Sequence, residues 1–134
     1  MRDRPLPVPT PLTQGFWEAT RRHELVVQRC TSCGRLRHYP QYLCPDCHSD
    51  VWIWAPVQGN GTVYSYAVAH RSFHPSWSNR VPYAVVTVLL DEGVRMVSDL
   101  DPDDTARVAI GLPVSVYFAD VPGTEITLPR FRLA

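Results

Sequence analysis

The chain has 134 residues, so one domain is the default expectation, with room for a small appended module. All 13 of its cationic residues are arginine and they balance 13 Asp and Glu, which argues against a general nucleic-acid binder and, with no lysine present, excludes Schiff-base catalysis. No apolar run approaches the ~20 residues of a membrane-spanning helix, and the start lacks the apolar core of a signal peptide. No membrane association and a reducing, cytoplasmic location are therefore expected.

Residues 5–11, "PLPVPTP", should be extended and irregular, because proline has no amide donor and restricts the residue before it. Two readings stand for this arm: a floppy tail, or a segment laid over the domain or a partner. Thr13 is placed to cap a helix beginning at Gln14. Phe16, Trp17 and Thr20 form one stripe of that helix, which should run to about His23 or Glu24. Such a short helix is marginal alone and must dock on something. "ELVVQRC" then has strand character.

"VWIWAPVQGNG" follows the cysteine-bearing stretch. Trp52 and Trp54 share one face of a strand, with Val51 and Ile53 on the other, and Pro56 and the glycines at 59 and 61 end it. Beyond Gly61 the helical period disappears. "GTVYSYAVA" alternates, "YAVVTVLL" is β-branched and continuous, and "DEG" is a turn before "VRMVSDL". "DPDDTA" reads as a solvated polar loop with a helical turn, and "RVAIGLPVSVYFADV" and "TEITLPRFRLA" give the last strands. Five or six short strands with short connections imply a small all-β barrel. The exception is residues 70–82, "HRSFHPSWSNRVP", which is long for a hairpin loop and rich in His, Arg and aromatics.

All four cysteines lie in "CTSCGRLRHYPQYLCPDC", from Cys30 to Cys47, as two CxxC pairs. Each CxxC turn sends two thiolates to one side, and two turns complete a tetrahedral shell at ~2.3 Å from a metal. Cys30, Cys33, Cys44 and Cys47 are the expected ligands of one structural Zn2+ per chain. Iron in the same cage would make a rubredoxin-like electron carrier, and two disulfides are a weaker third reading in a reducing compartment. Gly34 suits the positive φ that ends such a turn; His48 stands at the equivalent place in the second and is a weak competitor as a ligand. Arg29, Arg35 and Arg37 either offset the cluster's negative charge or form a solvated basic face. A stretch this short cannot bury a core of its own, and metal binding can supply ~10 kcal/mol to hold it.

The order "FW", "LVVQRCTSCG", "YPQYLCPDC", "GNGTVYSYAV", "PYAVVTVLLDEG", "IGLPVSVYF" resembles the zinc-ribbon and OB-fold family known as domain of unknown function 35, over nearly the whole chain. The resemblance implies a mainly β protein with three parts. They are an N-terminal arm and short helical segment (1–25), a rubredoxin-like four-cysteine zinc ribbon (26–56) and a C-terminal five-stranded OB-fold barrel (57–134). It also implies a non-catalytic accessory subunit of a hetero-oligomer. The partners implied are thiolase-superfamily enzymes on acyl-CoA, among them lipid-transfer-protein-type thiolases and aldolases of steroid side-chain degradation, and a MaoC-like hydratase.

The residue chemistry agrees with a non-catalytic role. If a metal takes all four thiols, none remains as an acyl-transfer nucleophile. Ser72 with His70 or His74 lacks the setting of a nucleophile turn, and "GNG" does not continue into a phosphate-binding motif. In the 70–82 loop, Arg71 and Arg80 are candidates for CoA phosphates, and Phe73 and Trp77 for an acyl chain, an adenine or a partner groove. The competing reading has the two aromatics plugging the barrel and both arginines solvated. A different function class, single-stranded nucleic-acid binding, would use Tyr64, Tyr66, Trp52 and Trp54 as a stacking platform.

Overall fold

The computed structural model describes residues 5–72, 75 and 80–134. One helix, α1 (Gln14–Arg21), precedes two antiparallel sheets. The first has three strands, β1 (Leu25–Cys30), β2 (Leu36–Arg37) and β3 (Trp52–Val57), in the order β2-β1-β3. The second contains β4 (Asn60–Ala69), β5 (Tyr83–Leu90), β6 (Arg95–Asp99), β7 (Pro113–Asp120) and β8 (Thr127–Leu133), in the order β6-β5-β4-β7-β8. A 3-10 helix at Pro102–Arg107 links β6 to β7.

α1 forms because Phe16, Ala19 and Thr20 fall on one buried face, with Trp17 half-buried beside them. Thr13 does not cap it with its side chain. The Thr13 hydroxyl instead accepts the Thr10 amide at 2.9 Å, and the Thr10 carbonyl takes the amides of Thr13 and Gln14. The helix stops at Arg21, two residues before the expected end, in a Schellman closure. The Glu24 amide donates to Ala19 O and the His23 amide to Thr20 O, with His23 at φ 60°. His23 then ties the helix end to the barrel. Its Nε2 is 3.0 Å from Asp120 Oδ1, and its ring stacks on Phe118 at 5.3 Å.

The second sheet curls into a nearly closed barrel. Its end strands meet where Leu100 bridges Phe131, the Asp101 amide donates to Phe131 O at 2.7 Å, and Ser98 Oγ donates to Pro129 O at 2.8 Å. Alternation sends Val86, Val88, Leu90, Met96, Val114 and Phe131 inward, all essentially without solvent contact. The same cluster takes in Phe16 and Ala19 of α1 and Leu25, Val26 and Val27 of β1, so one continuous core spans helix, ribbon and barrel. β1 is the central strand of its sheet, which is why "LVV" is apolar without alternation. Pro56 sits in β3 and does not end it; β3 is an edge strand, where a missing donor faces outward.

β4 is clamped between two neighbours only near its start, pairing with β7 over Asn60–Thr62 and with β5 throughout. A register shift between Val63 and Ser65 breaks the alternation, and Tyr64, Ser65, Tyr66 and Ala67 are all exposed. Two expectations are corrected further on. Residues 107–121 are not one strand: β7 begins at Pro113, after a turn in which Leu112 N donates to Ala109 O. Asp104 of "DPDD" is not solvated. It is buried and accepts the Leu133 amide at 2.9 Å and the Arg107 guanidinium.

The arm from Pro5 is extended and lies on the domain, with Leu6 and Pro7 half-buried. With Phe16, Trp17, Met96 and Leu128 it lines an apolar cavity of about 350 Å3. No helix among the described residues is long and apolar enough to cross a membrane.

Candidate metal centre

Cys30 closes β1 and starts the first knuckle. The Gly34 amide donates to Cys30 O at 2.8 Å, and the Cys30 amide to Arg35 O at 2.9 Å. The second knuckle repeats this pattern at the same spacing: His48 N to Cys44 O and Cys44 N to Ser49 O, each at 2.9 Å. Both turns need a left-handed residue before they close. Gly34 supplies it at φ 81° and His48 at φ 62°. His48 therefore has a backbone role and is not part of the sulfur cluster. Cross-ties hold the two turns face to face. Ser32 Oγ donates to Ser49 Oγ at 2.9 Å, Thr31 N and Oγ1 donate to Val51 O, and Arg35 pairs with Asp46 at 2.6 Å.

The four expected cysteine ligands come together. Cys30 Sγ lies 3.5 Å from Cys47 Sγ, Cys33 Sγ lies 3.6 Å from Cys44 Sγ, and all four sulfurs fall within 4.8 Å of one another. No two are bonded. A tetrahedral ion with sulfur at about 2.3 Å requires sulfurs about 3.8 Å apart, so the cluster fits such an ion without rearrangement. Its electrostatics point the same way. The amides of Cys33 and Ser32 pull the Cys30 thiol down to about 6, and the Cys47 amide lowers Cys44. Cys33 and Cys47 feel similar pulls from the amides of Arg35 and Ser49, but neighbouring sulfurs outweigh them and push both up, Cys33 to about 12. Four thiolates together require a positive charge among them.

The three nearby arginines behave differently from one another. Arg35 is raised by its bond to Asp46 and, more weakly, by the sulfurs of Cys44 and Cys33, so it answers the cluster's charge. Arg29 is exposed. Arg37, expected on the solvated face or beside the cluster, is instead buried at 5% exposure, with Nε donating to Gln28 Oε1 at 2.7 Å. Nothing in the local sequence marked this pair except a glutamine at an inward position of β1.

In the 70–82 loop, Phe73, Trp77 and His74 lie outside the described residues. Arg71 and Arg80 are both exposed. Arg80 lines a cavity of about 400 Å3 with Tyr83, Asp99 and Arg130, and Arg71 is not among its lining residues. The four-ring platform does not assemble. Trp52 and Trp54 are half-buried in an edge-to-face pair at 4.9 Å, and Trp54 packs so closely on α1 that a Cβ on Gly15 would lie 2.1 Å from its Nε1. Tyr64 and Tyr66 alone are exposed.

Two sulfur-bearing knuckles on a three-stranded ribbon, followed by a nearly closed five-stranded Greek-key-type barrel, define the chain as a zinc-ribbon-like module joined to an OB-fold. Residues 17–52 match the family model described as ChsH2, rubredoxin-like zinc ribbon domain, and residues 54–119 match ChsH2, C-terminal OB-fold domain. The chain belongs to this ChsH2 family of DUF35 proteins. Among solved structures it is similar to a chain of the "Ltp2-ChsH2(DUF35) aldolase", with 38% identity, a TM-score of 0.85, and coverage of 96% of this chain and 98% of that one. It is 42% identical over 120 residues to a "Probable enoyl-CoA hydratase alpha subunit" of Thermomonospora curvata. It is 39% identical over 110 residues to the "3-oxo-4,17-pregnadiene-20-carboxyl-CoA hydratase alpha subunit" of Mycobacterium tuberculosis. These matches cover 89% and 82% of this chain but only 37% and 34% of the two relatives, so the chain spans about a third of their length.

Proposed function

We propose that the chain is a non-catalytic accessory subunit of a complex that cleaves a carbon–carbon bond in an acyl-CoA, with a lipid-transfer-protein-type thiolase or aldolase as its partner. The observation that carries this reading is its end-to-end likeness to the ChsH2 chain of an aldolase complex. The relative named for a pregnadiene-carboxyl-CoA substrate favours a steroid-derived acyl group. The absence of catalysis is supported by thiol chemistry: every cysteine of the chain contributes to one cluster, leaving none for a thioester intermediate. The matching hydratase subunits have about two thirds of their length outside this match, and we assign MaoC-like hydratase activity to a separate partner.

Within this reading Cys30, Cys33, Cys44 and Cys47 hold one Zn2+, which supplies folding energy and, with its shell closed, no catalysis. Arg71 and Arg80 of the 70–82 loop are assigned to CoA phosphates, and Phe73 and Trp77 to the acyl chain, the adenine or a partner groove. Co-expression with a lipid-transfer-protein-type thiolase from the same genome tests the assignment. One hetero-oligomeric peak with carbon–carbon cleavage activity that neither protein shows alone is expected, and two independently eluting proteins would refute it. Elemental analysis should find one zinc per chain; a red, iron-loaded protein would overturn the metal assignment.

A further inference from the structure

β4 has one open flank over its outer half, and the register of the sheet determines which atoms line it. Two residues of β5 turn their backbone groups toward β6: the Leu90 amide donates to Val94 O at 2.8 Å, and Ala84 O accepts the Leu100 amide at 3.0 Å. With the two-residue period of a strand, Tyr83, Val85 and Thr87 then face β4, where they stand opposite Ala69, Ala67 and Ser65. The amides and carbonyls of Tyr66 and Val68 therefore point away from β5. β7 does not reach them: its pairing with β4 ends at Thr62, and beyond it Val63 is tied to Gly111 and Leu112. Among the described residues no backbone group pairs with Tyr66 or Val68 on this flank.

The other strand margins are closed or blunted. β6 and β8 meet at the seam, β3 carries Pro56, and β2 has only two residues. Residues 64–69, "YSYAVA", have none of these devices: no proline, no charge, and the length of an ordinary strand. Apolar surface surrounds them. Tyr64, Tyr66, Val85 and Val97 are each between 38% and 50% exposed. The open flank thus combines unused backbone donors and acceptors with side chains that gain from being covered.

We propose that this edge receives a strand from the partner enzyme, an extended segment with apolar residues at alternate positions and acidic residues beside them; the inference rests on the accessory-subunit reading above. An extended backbone offers acceptors and donors at the spacing with which Tyr66 and Val68 present theirs. The sign of the segment follows from the hairpin it would join. No Asp or Glu occurs between Gly61 and Leu90, whereas Arg71 and Arg80 do, and Arg95 stands over the Tyr64 ring at 5.0 Å. The same charge disfavours a second copy on this edge, because two hairpins of like sign would meet. Backbone pairing supplies the attachment, and the alternate side chains and the charge supply the choice of partner.

The test follows amide exchange in the full, metal-loaded chain, alone and in its complex with a co-expressed lipid-transfer-protein-type thiolase. Ser65 and Ala67, whose backbone groups face β5, serve as the protected reference in both states. Tyr66 and Val68 should exchange freely in the chain alone and at least about tenfold more slowly in the complex. Tyr66→Pro deletes an amide that β5 does not use, so it should spare the fold and weaken the complex by about tenfold or more, with Tyr66→Ala weakening it less. Arg95→Glu should weaken it several-fold, an effect that shrinks in high salt. If Tyr66→Pro does not fold, the exchange of the unaltered chain still decides. A complex in which Tyr66 and Val68 stay as open as before overturns the inference and leaves the accessory reading standing. Failure to form any complex sinks that reading, and the inference with it. Protection already present in the free chain overturns the proposal too: it assigns the edge to a second copy if it grows with concentration, and to the chain itself if it does not.

Discussion

Between Thr31 and Asp50 only Arg37 and Cys44 are buried, whereas the barrel from Val63 to Phe131 places ten apolar side chains in its core. The ribbon hairpins show their large residues to solvent: Tyr42 and Leu43 are more than half exposed. The two regions adjoin and share one cluster at α1 and β1, yet different forces hold them. The barrel is held by burial and by strand pairing. The knuckles are held by four sulfurs and a few cross-ties. A short excursion from a sheet can thus keep a rigid shape with almost no core, provided that a point attraction replaces the missing apolar area.

The sharpest way to break this contrast is to remove the attraction. Chelating the proposed ion should withdraw ~10 kcal/mol from the knuckles alone, and Cys44→Ser a part of that. Hydrogen exchange in residues 31–50 is expected to become fast while β5 stays protected, and uniform loss of protection would show that the regions are not separate. The mirror experiment is Phe131→Ala at the barrel seam, where a fully buried ring is lost. It should cost about 3–5 kcal/mol in denaturant unfolding and leave metal affinity unchanged.

A third expectation concerns the junction. His38 is largely buried between Phe16 and Tyr39, with ring centroids at 5.4 and 4.2 Å, and burial lowers it from 6.5 to about 4. Above pH 6.5 neither state carries its proton. As the pH falls from there toward about 4, the unfolded chain gains a proton that the folded chain refuses, so stability is lost across this window, by roughly 3 kcal/mol. His38→Phe should flatten that part of a melting-temperature profile; an unchanged profile would place the acid sensitivity elsewhere. The smallest effect belongs to Gly15→Ala. Helix propensity favours alanine, but the new Cβ meets the Trp54 indole, and a net loss of about 1–2 kcal/mol is expected by thermal unfolding. A stabilised variant would mean that the indole can swing aside.

The same contrast explains what could be read from residues alone. The CxxC spacing specified the sulfur cluster because each knuckle is a local turn, and Gly34 and His48 ended those turns as expected. β5 was legible because β-branching is a local signal as well, and β4 was found as a strand although its alternation of burial stops at the register shift after Val63. The misreadings share a cause: hydrogen-bond partners that no local pattern announces, near or far in sequence. Asp104 looked solvated because its partner, the Leu133 amide, lies 29 residues away. Arg37 looked like surface because only the fold brings Gln28 and Gln41 around it. Thr13 looked like a side-chain cap, but the arm supplied Thr10 first.

One further consequence follows from how β4 is gripped. Past Val63 it has β5 on one flank and, among the described residues, no strand of the second sheet on the other. Its outer half is held from one side only, while the start of β5 is held by β6 as well. That start also lies beside the seam: the Leu100 amide donates to Ala84 O at 3.0 Å, and Arg80 and Tyr83 border the Asp99 and Arg130 pair. A change on the β4 side of this hairpin is thus remote from the closure, and a change on the β5 side is not. Sequence drift is therefore absorbed more readily on the exposed outer half of β4 than on the strand that returns along the closure.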